Sequence, residues 1–499
     1  MTIAALAVVA VAAWQGIDLG QGAQPEPRVQ AETGGPAPAA ARQAGDASAC
    51  PQLTLQQGGA GPLLPSESLS AFLDSQVYLD QELTVSYNSN LGRYGQLTLS
   101  AGGRMFHPNN GGCSTPYDDG PRFIVLEDGL NRQNPTPVPW LSDEDTLRAG
   151  STITELSGWL ERDTVYMRDS GFDSWTLVIP DDFAIEDAPR PATPPDPGGS
   201  FTVAGFNIGN YFTTLNDRGA RDAGERDRQH AKLVAALAGL DAQLIGIAEI
   251  ENDDGRSLNR LVNGAGGLEQ VSGDSWSWLQ ADGFGRGNDD ISLAFLYRDD
   301  LFAPVGATLA DGHAIHNRPP LAQRFRELAS GLEFTVVMAH LKSRGGCEPY
   351  DADGGSGCWD DRRDEQVRQL AAFIAEDVAP FAGSGILVLG DMNSYALEAP
   401  MQRLQRAGFY DLLARFVPAQ ERYTYVYQPG WAGYMDHALA DEGLLDSVCG
   451  AAVWHINSDE PEFLSYMGAR FGPDLYSADP YRSSDHDPVL VGIDLEGGC

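Results

Sequence analysis

Gly385-Ile386-Leu387-Val388-Leu389-Gly390-Asp391-Met392-Asn393-Ser394-Tyr395 is the stretch that decides the fold. An unbroken apolar run bounded by glycines reads as a buried strand. It ends on Asp391 and Asn393. One polar strand ending is ordinary, because Asp and Asn are turn formers. Here the pattern recurs. Phe201–Phe206 ends on Asn207, Leu244–Ala248 on Glu249, and Glu333–Ala339 on His340. Ile291–Tyr297 is a further strand, while Arg226–Leu240 and Arg362–Glu376 have helical periodicity. Strands alternating with helices mean sheets covered by helices. Two more clusters follow: Asp436 and His437 after Gly433-Tyr434-Met435, and Asp485-His486-Asp487 before Pro488-Val489-Leu490-Val491. Pro488 drives the residue before it into extended backbone, placing Asp485 and His486 on a turn at a strand entrance.

The first half reads differently. Ile3 to Trp14 is an apolar run, too short to cross a bilayer and similar to the apolar part of a secretory signal, although no Lys or Arg precedes it. Residues 15–49 are Ala/Gly/Pro/Gln-rich and read as a disordered linker. Residues 50–186 carry short strand-like runs at close spacing, with Gly and Asn turns. They predict a small antiparallel barrel, of which an oligonucleotide-binding (OB) barrel is one form. Residues 187–199 hold Pro189, Pro191, Pro194, Pro195 and Pro197 and mark a boundary. The last domain is then 200–499.

The formal net charge is −37. It argues against a large basic nucleic-acid surface, but a local cationic cleft and a divalent metal would still admit a polyanion. Six cysteines without metal-binding spacing fit disulfides in an exported chain, secreted or periplasmic. A local Cys347–Cys358 bridge is the first expectation; Cys50–Cys113 and Cys449–Cys499 follow by elimination.

Several Asp, Asn and Glu side chains with two His and no Cys are the inventory for magnesium or manganese phosphoester chemistry. In order along the chain, Asn207, Glu249, His340, Asp391, Asn393, Asp436, Asp485 and His486 resemble the site of the endonuclease/exonuclease/phosphatase (DNase I-like) superfamily. The texts FNIGNYFTTLNDRGA (206–220), IAEIEN (247–252), AHLKSRGGC (339–347), GDMNSY (390–395), GYMDHALA (433–440) and SSDHDPV (483–489) are similar to those of secreted bacterial nucleases. NSNLGRYGQLTLSAGGRMFHP (88–108) resembles the OB-like module that precedes the nuclease in that group.

The resemblance implies an α+β fold, a four-layer α/β/β/α sandwich preceded by a small all-β OB-like barrel. It implies that Glu249, Asp485 and Asn207 hold Mg2+ or Mn2+, with a structural Ca2+ left open. Asp391 would orient or deprotonate water, and Asn393 would position water or phosphate. His340 and His486 would act as acid or charge stabiliser, one of them oriented by Asp436. Arg218, Arg318, Lys342 and Arg363 are candidate phosphate contacts, with ordinary surface charge the competing reading. His340, where the abasic-site repair branch tends to carry Tyr, points to a broad endonuclease. The expected partner is DNA, with RNA open; no membrane and no protein partner is expected. A phosphatase or sphingomyelinase-like phospholipase of the same superfamily is the alternative activity. A binding or matrix protein on a decayed catalytic fold is the alternative class.

Overall fold

The computed structural model describes residues 50–57, 64–113, 122–130, 132–167, 170–178, 183–346, 356–497 and 499. The apolar run at Ile3–Trp14 and the linker at 15–49 lie outside them.

Two six-stranded sheets form the centre of the second half. The first runs in the order Trp276–Leu279, Ile291–Arg298, Leu244–Glu251, Phe201–Tyr211, Val489–Ile493, Val448–Val453. The second runs Phe302–Ala310, Leu321–Glu327, Glu333–His340, Ile386–Asp391, Asp436–Ala440, Tyr410–Asp411. Strict alternation along the strands sorts side chains onto two faces. Val203, Leu244, Phe295, Phe334, Val336, Met338, Leu387, Leu389, Ala438 and Val491 form one core between the sheets. The alternate residues face outward. Ala204, Phe206, Ile245 and Ile247 pack with Leu233, Val234 and Leu237 of helix Ala223–Gly239. Val337, Ala339 and Val388 pack with Val367 and Leu370 of helix Asp360–Phe373 and with Met401 and Leu404 of helix Ala399–Arg406. The layers are therefore helix, sheet, sheet, helix.

Helix Ala223–Gly239 begins where the sequence provides a cap. The Asp222 side chain accepts from Glu225 N at 3.0 Å, and the Glu225 side chain accepts from Arg221 N at 2.8 Å. Two otherwise unpaired donors are thereby satisfied.

The first half builds one continuous ten-stranded sheet, with Leu83–Tyr87, Gln96–Ala101 and Phe123–Glu127 adjacent near its middle. Phe123–Glu127 pairs in parallel with Ser170–Val178, and the other ladders are antiparallel. Its core, with Leu83, Leu97, Leu99, Ile124 and Leu160, also takes in Phe463 and Leu464 from the far end of the chain. Residues 49–499 form a single compact unit, so the Pro-rich stretch 187–199 joins two packed parts.

Cys449 and Cys499 are bonded as expected. Cys358 is also in a disulfide, while Cys347 lies outside the described residues. Cys50 and Cys113 are not bonded to each other: both are thiols, and the Cys113 thiol is hydrogen-bonded to Cys50. Among the described residues no helix is long and apolar enough to cross a membrane.

Candidate active site

The strand pattern puts the polar endings in one place. Along Phe201–Tyr211 the inward set includes Phe201 and Val203, and continues in step to Asn207. Along Glu333–His340 it is Phe334, Val336, Met338, then His340; along Ile386–Asp391 it is Leu387, Leu389, then Asp391. His340 is the registered partner of Asp391, and Asp391 that of Asp436 on the neighbouring strand. Three adjacent strands of the second sheet thus deliver His340, Asp391 and Asp436 side by side at one end of the sandwich.

Glu249 arrives by another route. Plain alternation would place it outward with Ile245 and Ile247. The ladder slips between Ala248 and Ile250, and Glu249 takes φ +68°. Such a bulge re-aims a side chain. Its carboxylate accepts from Asn210 N at 2.9 Å and from Asn207 Nδ2 at 3.2 Å.

Asn207 Nδ2 also donates to Asp391 Oδ2 at 3.1 Å, so one amide ties the two sheets' carboxylates together. Asp391 Oδ1 accepts from Asn393 N at 2.8 Å, and Oδ2 accepts from Asn393 Nδ2 at 3.1 Å. His340 Nε2 lies 3.3 Å from Asp391 Oδ2 and 3.9 Å from Glu249 Oε1. Its Nδ1 is buried with no hydrogen-bond partner among the described residues. His486 is held from behind: Nδ1 is 2.7 Å from Asp436 Oδ2, leaving Nε2 3.9 Å from Asp391 Oδ2. Asp436 is therefore the orienting partner of His486. Thr424 Oγ1 donates to Asp436 Oδ2 at 2.7 Å, and the Tyr425 ring lies 4.8 Å from the His486 ring.

Electrostatics follow from this enclosure. Burial alone would depress the His486 imidazole, but the Asp436 and Asp391 carboxylates outweigh it and hold the ring well above its ordinary value. Burial pushes Asp391 up, but the facing His486 and His340 and the Asn393 amide carry it well below the usual carboxylate range. Burial keeps Asp436 above its ordinary value despite the imidazole. His486 is thus clasped between two acids whose charges favour its protonated form.

Asp485 is less buried than its neighbours, as is Glu249. Burial first, then the Glu225, Asp485 and Glu249 charges working against Arg470, hold the Tyr466 hydroxyl at about 12. Glu249 and Asp485 are thus both within electrostatic reach of Tyr466. Asp391, Asp436 and His486 also lie close enough to hold an ion. The members of this trio are already paired with one another and with Asn393, which suits proton and charge handling. Glu249 and Asp485 are hard, partly exposed oxygen donors and fit a divalent cation, with the buried Asn207, whose oxygen accepts from Gly209 N at 3.1 Å, beside Glu249.

The four cations fare unevenly. Arg218 is half-exposed and paired with Asp289 at 2.7 Å. Lys342 reaches Ser343 Oγ at 3.1 Å and lies over the Trp359 ring, partly exposed. Arg318 is buried, bonded to the His340 and Leu341 carbonyls and facing Asp289 at 3.6 Å, so it braces the strand end. Arg363 is a correction. It is fully buried, and its guanidinium donates to Ser394 Oγ and to the carbonyls of Lys342, Ser356 and Cys358. It clamps a loop and cannot meet a phosphate.

The sequence reading missed Thr424, Tyr425 and Ser484, whose hydroxyl donates to the Asn207 carbonyl at 2.7 Å. The alternating Tyr423-Thr424-Tyr425-Val426-Tyr427 was the available signal for the first two.

Among solved structures, the chain is similar to an endonuclease/exonuclease/phosphatase family protein from Bacteroides thetaiotaomicron, at 14% identity and TM-score 0.39, covering 58% of this chain and 96% of that one. It is similar to a mannosyl-6-phosphatase of the same organism at 15% identity and TM-score 0.38, over 58% of this chain and 98% of that one. It is also similar to TDP2 of D. rerio complexed with a single-strand DNA product, at 13% identity and TM-score 0.38, over 58% and 97%. Comparison with curated protein sequences gives no match. The sequence signature of the Endonuclease/Exonuclease/phosphatase family spans residues 204–486, from the strand that bears Asn207 to His486 itself. That is more than half of the chain, and the protein belongs to this family of phosphoester hydrolases.

Proposed function

We propose that the protein is an exported, divalent-metal-dependent endonuclease that hydrolyses phosphodiesters of extracellular DNA, and of RNA as a secondary substrate, with little sequence preference. The observation that carries the reading is the pairing of partly exposed carboxylates (Glu249, Asp485), with the buried Asn207 beside them, with a buried imidazole backed by an acid (His486, Asp436) across Asp391. A divalent cation, Mg2+ or Mn2+, bound by the first group would neutralise charge on the phosphate.

This chain's own residues do the rest. Asp391 is too acidic to remove a proton from water unaided, so it orients the nucleophile. Asn393 fixes Asp391 with two hydrogen bonds. Nδ1 of His486 is taken by Asp436, so Nε2 faces the phosphate and supplies a proton or a positive hydrogen-bond donor to the departing oxygen. His340 adds a second donor beside Asp391. Lys342 and Arg218 are the accessible cations able to meet flanking phosphates. The Cys449–Cys499 bond and the bonded Cys358 support an oxidising compartment. The resemblance of residues 88–108 to an OB-like module supports nucleic acid over a lipid or sugar phosphate. A gel assay with plasmid DNA, RNA and sphingomyelin, each with and without magnesium, tests the proposal. Nicking and degradation of the plasmid only with metal is expected; cleavage of sphingomyelin alone would reject it.

A further inference from the structure

The ten-stranded module of the first half meets the second half at several places, and one of them, the short segment Arg104–Asn110, runs against loops of the site. We infer that this segment is a positioning element of the phosphoester site, so that the module completes the catalytic centre instead of tethering substrate beside it. The inference rests on the hydrolase reading of that site.

Three contact routes leave the segment, and each ends on a different site residue. The Asn109 amide donates to Glu398 Oε1 at 3.0 Å. Glu398 is buried and holds Arg344 at 2.7 Å, and Arg344 donates to the Asn393 carbonyl at 3.3 Å. Asn393 in turn fixes Asp391. Leu397 N also donates to the Asn109 carbonyl at 2.9 Å, and the His107 ring stacks on Tyr395 at 4.1 Å. The loop that follows Asp391 is thus held at several points by the module.

The second route runs to Asp436. Phe106 bridges to Ala432; His107 N donates to the Ala432 carbonyl at 2.9 Å, and Ala432 N to that of Met105 at 2.8 Å. The Asn110 oxygen accepts from Tyr434 N at 3.2 Å, and its amide donates to the Arg422 carbonyl at 3.1 Å. These bonds hold the second strand of the hairpin Tyr425–Tyr427/Trp431–Gly433 and the chain just before its first strand. That hairpin carries Thr424, which holds Asp436, and Tyr425, which lies on the His486 ring. The approach is close: a Cβ on Gly433 would lie 2.5 Å from Tyr395 and 3.2 Å from Asn110.

The third route runs to His486. Arg104 pairs with Asp459 at 2.8 Å, and Tyr423 OH donates to Asp459 at 2.9 Å. Tyr423 stacks at 3.9 Å on His455, which meets Asp487 at 3.1 Å, next to His486. A tethered binding module would need none of these contacts. A module that sets three catalytic loops needs all of them.

The test uses the full chain and two substrates, plasmid DNA and the small diester bis(4-nitrophenyl) phosphate, with magnesium or manganese. Small misplacements of reacting groups are costly, so the double variant Asn109→Ala/Asn110→Ala should lose about tenfold or more in kcat on the small diester, with KM unchanged. DNA cleavage should fall by a similar factor. Val138→Ala, in the module's core, should lower the thermal midpoint and leave kcat unchanged. Retained kcat on both substrates, or a loss confined to KM on DNA, overturns the inference. If the double variant does not fold, Asn109→Ala alone decides by the same criteria. A wild-type protein inactive on the diester and on DNA rejects the hydrolase reading instead. The His486 Nδ1 proton resonance then decides: a shifted or broadened signal in the variant supports the positioning role, and an unchanged one refutes it.

Discussion

The two ends of the site are built on opposite principles. At the Glu249–Asp485 end the carboxylates are partly open, and Glu249 owes its aim to a strand bulge and left-handed backbone. At the Asp436–His486 end both groups are buried, Asp436 set by the register of its strand and His486 by the turn before Val489–Ile493, and each meets a charged partner. An open, anionic end has unspent charge and seeks a cation. A closed end whose charges already balance is fit to hold a proton in place. The division of labour follows from where charge is neutralised within the protein and where it is not.

The largest effect should come from the open end. EDTA should abolish phosphoester cleavage, and added magnesium or manganese should restore it. Glu249→Ala should cost about 10²–10³-fold in kcat. It should also raise the metal concentration needed for half-maximal rate. An unchanged metal requirement in Glu249→Ala would break the contrast between the two ends. At the closed end, His486→Ala should cost about 10²–10⁴-fold in kcat while the metal requirement stays as in the wild type.

A smaller effect sharpens the account of the closed end. His486 binds its proton more tightly folded than unfolded. The charged ring therefore stabilises the fold fully below about pH 6.5, and this stabilisation is lost as pH rises through the folded value. The activity of an enzyme using this imidazolium should hold through neutrality, and its alkaline limb should follow loss of the His486 proton. Asp436→Asn removes the largest attractive charge, so the alkaline limb of the kcat–pH profile should move to lower pH. A limb that stays put would mean that Asp391 alone maintains the charge.

How much of this was legible in the sequence depended on backbone regularity. Asn207, His340 and Asp391 could be placed by counting in twos from the apolar residues before them. Glu249 could not: the same count sends it to the outer face, and nothing in IAEIEN announces the slip that reverses it. The strand Leu156–Met167 went unread because Glu161, Arg162 and Asp163 interrupt its apolar pattern; they are exposed where the hairpin with Ser170–Val178 leaves the core. Arg363 misled for a different reason. A cation in a family-like motif looks the same whether it meets a phosphate or a ring of carbonyls, and only the fold of the loop around Cys358 decides. The four layers were implied by the family resemblance, and the strand–helix alternation was consistent with them. The contacts of Arg104–Asn110 join residues about three hundred positions apart, and no local pattern marks them.

The smallest effect on activity should come from the disulfide, and it serves as a control on both ends. Cys449 lies on an edge strand of the first sheet, beside the pairing of Val448 with Ile493. That is the end of the Val489–Ile493 strand farther from His486. Its bond to Cys499 closes a loop with a sequence separation of 50. The chain-entropy account assigns such a bond about 4 kcal/mol, less whatever the reduced chain recovers. Cys499→Ser should therefore lower the midpoint of chemical denaturation measurably while leaving kcat, the metal requirement and the pH profile unchanged. A loss of activity in the folded variant would show that strain at the far edge of the sheet reaches His486 through Val489–Ile493, and that the closed end is less self-contained than its charge balance implies.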